Sequence, residues 1–427
     1  MSINLRWRQF ASWRRKNGLF CTIVSWIIIA IIAYTLLSAI WGYGHGWSRI
    51  LAGWHIGATH DPLDRIKVTL TALGGVGAVG YLVIKYRERA ALERGEADEK
   101  LVRAVQQLGD ASPQVRIAGV YALADVADTY EGPYHQRVVD ILCGYLRTDR
   151  LLKDANGDTR YATNDDGTPN YDQPLSADSA VESTILSVLT SHLRASHSTT
   201  QGPWSDCNID LHRTILTEEV DLSDTIINKI TCKATIFKNQ CTFSGAKLKQ
   251  EADFSDAVFH KFTWLDGVNF PDSTKFWGTS FEMTAVFDSS TFGGEAVFGG
   301  CNFRKGAHFS EVKFVRNCGF EDTKFALSCH FERATFIKGA RFYGVKFEGF
   351  TYFDKVTFSN NVNFGGVKFG GVCFFNGATF RGTSHISSTS FCDDAIFDGV
   401  NFEREAHFAN TSFKKNVKLE FVRFRNG

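Results

Sequence analysis

The spacing of apolar positions changes character three times along the 427-residue chain. Gly18 to Ile40, "GLFCTIVSWIIIAIIAYTLLSAI", is apolar without a single charge, and its 23 residues suffice to cross a hydrocarbon core of roughly 30 Å as a helix. A shorter run, "VTLTALGGVGAVGYLVI" from Val68 to Ile84, follows the same pattern but is rich in glycine. Helical periodicity comes next, with Leu101, Val105 and Leu108 on one face, then Ile117, Val120, Tyr121 and Ala124 on another after the Ser112-Pro113 start signal. "QRVVDILCGYL" and "DSAVESTILSVLTSHLR" predict two further amphipathic helices. From Phe270 onward the period changes again: Phe276, Phe281, Phe287, Phe292, Phe298, Phe303 and Phe309 stand alternately five and six residues apart, a beat that persists to Phe413.

An eleven-residue period also occurs in helices, but phenylalanines five apart on a helix diverge by about 140°, and the intervening Gly, Asn, Ser and Thr disfavour helix. Two residues before most of these rings lies a small or branched residue, such as Ala285, Ala296, Cys301, Ala307 and Val312. A small and a large residue two apart, followed by polar turn residues, predict a very short strand with both side chains pointing the same way.

This repeat resembles the pentapeptide-repeat family, whose A-(D/N)-L-x-x units form a right-handed, four-sided β-helix with one unit per face. Here phenylalanine replaces most central leucines, and every second unit carries a sixth residue. The resemblance implies a coil of 22 residues and ten coils across 207–427, a rod roughly 45 Å long at ~4.8 Å per coil. "RAVQQLGDASPQVRIAGVYALADVAD", "VVDILCGYL" and "AVESTILSVLTSHLR" also resemble the corresponding stretches of membrane-anchored bacterial pentapeptide-repeat proteins, a likeness that implies architecture and no chemistry.

The expected fold is therefore mixed. A basic tail (1–17) precedes a transmembrane hairpin of helices 18–40 and 68–84 joined by an outer loop (41–67). An α-helical neck (85–206) with a polar loop (150–175) leads into the right-handed quadrilateral β-helix (207–427). Arg6, Arg8, Arg14, Arg15 and Lys16 before the first span, and Lys85, Arg87, Arg89 and Arg94 after the second, place both ends of the hairpin in the cytoplasm of a multi-pass cell-membrane protein. Gly75, Gly77 and Gly80 spell a dinucleotide-binding fingerprint, but within an apolar helix they lack the strand that motif requires. Gly74, Gly75 and Ala78 instead suit close helix packing in the membrane.

Charge and composition remove several functions. Residues 206–427 carry 26 acidic and 26 basic side chains, so the rod has neither the field that draws nucleic acid nor the acidity that imitates it. That disfavours a DNA mimic acting on a topoisomerase, the main alternative that the family suggests. A hairpin with a signalling or transport-accessory role is a third reading. Of the ten cysteines, Cys241, Cys301, Cys318, Cys329 and Cys373 take the small inward position of the repeat and suit reduced thiols. "DANGDTRYATND" imitates a calcium loop but has Thr159 where glycine is needed, and His45, His55, His60 and Asp61 match no metal spacing. No catalytic residue, cofactor or metal site is expected.

If residues two apart point inward, the one between them points outward, and outward residues 22 apart form a column. His308, His330, Tyr352, Phe374 and Ile396, preceded by Val286, make an apolar and aromatic column suited to a protein partner or a second copy. Stacked rings that merely stabilise adjacent coils are the structural alternative. Lys324, Lys346 and Lys368 form another column, whose repulsion is relieved by Glu321, Asp322 and Glu348 or by an anionic partner such as lipid headgroups or an acidic protein. A non-enzymatic, membrane-anchored interaction scaffold is the expected function.

Overall fold

The computed structural model describes residues 62–195 and 201–425, together with Ile28 and Ile32. The tail, the outer loop to residue 61 and the first predicted span, apart from those two helical isoleucines, lie outside the described residues. The chain divides between Glu99 and Lys100 into two units.

Helix α1, Pro62–Leu108, is one unbroken helix of 47 residues. It contains the second predicted span, and its continuity through Gly75 and Gly80 leaves no strand–turn–helix for a dinucleotide motif. The transmembrane hairpin is not supported here. Among the described residues no helix is long and apolar enough to cross a membrane. The glycines of 68–84 dilute its hydropathy, and Lys85, Arg87, Glu88 and Arg89 follow at once.

In the second unit, α2 (Pro113–Tyr130) starts at Pro113, whose missing N–H costs nothing in a first turn, with Ser112 as its cap residue. Helices α3 (Pro133–Leu146) and α4 (Ser179–Leu193) complete the helical part. Buried residues recur at three- and four-residue steps: Val120, Leu123, Ala124 and Ala127 on α2, and Val138, Val139, Leu142 and Leu146 on α3. Two expected core positions face outward, Val105 and Tyr121. Each adjoins a residue that takes the inward place, Ala104 and Val120. The segment expected as a plain polar loop contains an antiparallel hairpin, β1 (Tyr161–Thr163) on β2 (Pro169–Pro174), with Tyr161 and Tyr171 packed edge to face. Asp154 there closes a turn by accepting the N–H groups of Asn156 and Asp158, both at 2.9 Å.

Residues 208–424 wind into coils whose strands are mostly two residues long. Each strand pairs in parallel with its counterpart in the next coil, as Lys324–Phe325 does with Lys346–Phe347 and Cys329–His330 with Thr351–Tyr352. Two faces are ten-stranded sheets, one running from Ile215–Leu216 to Ser412–Phe413 and the other from Val220–Asp221 to Val417–Lys418. The other two are joined in the early coils by the longer strands Ile226–Thr231 and Lys247–Asp253, which span the corner between them. This is the four-sided solenoid of about ten turns that the repeat predicts. The four faces are called A to D in chain order, with Ile215, Val220, Ile226 and Ile230 in the strands of the first full coil; face D also carries the earlier strand Asn208–Asp210.

The five-six beat is a consequence of the corners. In the coil containing Phe331 (face B), Phe336 (C), Phe342 (D) and Phe347 (A), the five-residue steps turn on a residue with positive φ, Arg333 at 57° and Gly344 at 71°. Each such turn is closed by a hydrogen bond, Ala334 N–H to Phe331 carbonyl (3.0 Å) and Val345 N–H to Phe342 carbonyl (3.1 Å). The six-residue steps, through Ile337-Lys338-Gly339 and Glu348-Gly349-Phe350, spend an additional residue and need no left-handed backbone.

Inside, each ring stacks on its counterpart one coil away wherever that counterpart is also phenylalanine. Phe331 lies 4.9 Å from Phe309 and 5.0 Å from Phe353, nearly parallel to both, and meets Phe320 and Phe342 edge-on. Several polar groups at small inward positions are satisfied by the preceding coil: Thr323 Oγ1 donates to the Phe298 carbonyl at 2.6 Å and Thr389 Oγ1 to that of Phe364 at 2.7 Å. Cys241, Cys301, Cys318, Cys329 and Cys373 are buried free thiols, all pushed to higher pKa by burial. The helices do more than space the rod. Residues of α2, α3 and α4 share one apolar core with the first coils through Trp204, Ile209, Leu211 and Leu216.

Truncating Phe331 to alanine removes a fully buried ring with six aromatic neighbours, and is expected to lower stability by about 3–5 kcal/mol. Phe421→Ala, at a position 83% exposed, changes it by less than about 0.5 kcal/mol. Urea denaturation of the full chain in detergent measures both.

Candidate functional site

With the inward positions committed to packing, chemistry and recognition fall to the outward columns and corners. The strand register assembles the predicted aromatic column on face B: Val286 pairs with His308, His308 with His330, His330 with Tyr352, Tyr352 with Phe374, and Phe374 with Ile396. The rings lie flat on one another. Centroids are 4.6 Å apart for His308–His330, 4.6 Å for His330–Tyr352 and 5.0 Å for Tyr352–Phe374. All six side chains are half-buried, because each covers the next. The stacking alternative therefore operates within the column, while the outer edges of its rings still face solvent.

Two extensions lie beyond the predicted column, the first of them at the same 22-residue spacing. It continues back to Trp264, which pairs with Val286 and stacks on Phe262 at 5.9 Å. At the corner between faces A and B, Leu327 and Phe350 are 49% and 51% exposed. They occupy the extra turn positions of the six-residue units, where a large apolar side chain has no inward place. An apolar residue at that phase was the available signal.

The carboxylates beside the histidines give the column a polar margin. His330 Nδ1 lies 2.9 Å from Glu332, and Ser310 Oγ donates to Glu332 at 3.2 Å. Burial alone would raise the Glu332 carboxyl, but the His330 and Ser310 contacts take it below its usual value. Asp288 and Asp354 are raised by burial. His308 is lowered, first by burial and then by the neighbouring His330. Among the described residues no group of three or more His, Cys, Asp or Glu is arranged to hold a metal ion.

The lysine column is assembled on face A, Lys324 beside Lys346 and Lys346 beside Lys368. Of the three expected acids only Glu348 pairs with it, 3.2 Å from Lys324. Glu321 turns to Arg341 instead, and Lys346 and Lys368 are exposed without an ion pair among the described residues. Gly74, Gly75 and Ala78 all lie on α1. A side chain at Gly75 would meet nothing within 4 Å, and Ala78 is exposed.

Residues 276–324, 320–368 and 331–379 match the family model described as pentapeptide repeats (9 copies). No curated protein and no solved structure matches the chain significantly.

The depressed His308 has a defined consequence. Its folded pKa lies below the ordinary 6.5, so the unfolded chain binds a proton that the folded one resists. Its stability contribution is present in full above about pH 6.5 and is lost as pH falls through that value. His308→Tyr keeps a stacking ring and removes the titration. The fall in urea midpoint between about pH 7.5 and pH 5.5 is expected to be smaller in this variant than in the parent protein.

Proposed function

We propose that this chain, whose second half is built of Phe-rich pentapeptide repeats, is a non-enzymatic, membrane-anchored scaffold. It holds the solenoid in the cytoplasm and offers face B to a protein partner or to a second copy. Repeat solenoids of this family are typically structural or interaction proteins. The observation that carries the reading is the column from Trp264 through His308, His330, Tyr352 and Phe374 to Ile396, with Phe350 and Leu327 exposed on the adjoining corner. Flat, rigid rings cost little side-chain entropy on binding and supply the area from which interfaces draw most of their energy. A rod with 26 acids and 26 bases offers nucleic acid no comparable field.

Membrane anchoring rests on the charge-free run 18–40 and on the exposed apolar surface of α1. Val79, Tyr81, Leu82 and Ile84 are exposed just before Lys85, Arg87, Arg89 and Arg94, the order of apolar span, interfacial aromatic and cytoplasmic cations. Gly74, Gly75 and Ala78 form the smallest surface of that helix, where the first span or another copy would pack. Lys346 and Lys368 are free to meet acidic groups of a partner or of lipid headgroups.

Full-length protein and a Tyr352→Glu, Phe374→Glu variant, each captured from detergent-solubilised membranes, test the reading. The variant is expected to lose its partner or its oligomer, with affinity weakened about tenfold or more, as for loss of an aromatic anchor. Identical partners and identical particle size for both proteins would overturn it.

A further inference from the structure

A cavity of about 300 Å³ opens where the end of α3 and the segment after it meet α4 and the first coil. Four cations line it, Arg147, Arg150, Lys153 and Arg213, against two carboxylates, Asp149 and Glu182. Arg150 is the buried element, its side chain only 4% exposed. Its terminal nitrogens are engaged: one pairs with Glu182, and the other donates to the carbonyls of Leu146 (3.0 Å) and Ile215 (2.8 Å). Its Nε is buried and has no partner among the described residues. Buried donors without an acceptor are rare in folded proteins, and an unmet one beside a cavity calls for a ligand that accepts.

The acids present do not neutralise this site. Glu182 is already spent on Arg150, on the backbone N–H groups of Thr217 (2.7 Å) and Glu218 (3.1 Å), and on the Thr217 hydroxyl (3.1 Å). Asp149 stands 3.6 Å from Lys153 and is largely solvated. Arg147 is paired with Asp210, whereas Arg213 is exposed and pairs with nothing among the described residues. The carbonyls at the end of α3, which would repel an anion, are also occupied. Those of Cys143 and Gly144 accept the Arg147 N–H, that of Tyr145 accepts from Thr148, and that of Leu146 accepts from Arg150. Hydroxyls of Thr159 and Ser176 complete the wall.

We propose that this cavity binds the phosphate group of a small ligand, with Arg150 Nε, Arg213 and Lys153 as its donors. Guanidinium groups match tetrahedral oxyanions, and the volume accommodates a phosphate with a short organic substituent as well as the free ion. Because the cavity joins the helical cap to the first coil, an occupant would brace the two against each other.

Isothermal titration of the full chain in detergent, with inorganic phosphate and with glycerol 3-phosphate at matched ionic strength, tests the assignment. Binding with Kd of about 0.1–1 mM is expected, weakened at least about tenfold in a Lys153→Ala, Arg213→Ala variant whose exposed positions leave the core intact. Tighter binding of the ester assigns an organic phosphate, and equal binding assigns the free ion; both support the site. No binding up to about 10 mM, or equal affinity in the variant, would overturn it.

Discussion

Everything in the solenoid depends on one distance, the separation of successive coils. Backbone pairing between parallel strands sets it near ~4.8 Å, and aromatic rings laid flat on one another have much the same repeat. The inward phenylalanines take advantage of that coincidence, with stacked centroids between 4.3 and 5.1 Å along the rod. Rings on neighbouring faces meet edge-on, the other favourable arrangement for aromatic quadrupoles. A core made from a single side chain can therefore remain ordered.

That constraint also sets the chain's rhythm. Two opposite corners turn on a left-handed residue and spend five residues per unit, while the other two spend six and keep ordinary backbone. Once per coil the chain returns to the same face in the same phase, and outward side chains inherit the register. Columns of like residues follow from geometry alone, which is why His308, His330 and Tyr352 stack as regularly as the core does. What geometry leaves free is the identity of each outward residue. The starting coil imposes a second requirement, since its apolar end must be covered. The α2–α4 cap does this with Trp204 and neighbouring side chains, and with the buried Arg150–Glu182 pair held by first-coil backbone.

The parts of this arrangement that repeat could be read directly from the chain. Phe331, Phe336, Phe342 and Phe347 gave away the coil length, and the outward columns at Lys324 and His330 followed by counting. Features that occur once could not be read this way. Tyr121 and Val105 looked inward because a helical stripe is defined only to within a residue, and packing against particular neighbours decides which member of a pair is buried. The hairpin at Tyr161 and Tyr171 was hidden by a composition of turn residues. Phe350 and Leu327 sit in corners where the repeat tolerates any side chain, and the cations around Arg150 come from segments distant in sequence. The run at 68–84 belongs to a much longer helix, a fact its local hydropathy does not reveal.

The return of the chain to one face in every coil can be measured directly. In a Cys21→Ser, Cys392→Ser background, pyrene is attached at Thr335→Cys together with Thr357→Cys, which pair on face C, or at Thr335→Cys together with Lys346→Cys, which lie on opposite faces. Strong excimer fluorescence from the first pair and monomer emission from the second is the predicted result. Excimer emission from the Thr335 and Lys346 positions, and none from Thr335 and Thr357, would contradict the four-sided coil and every column derived from it.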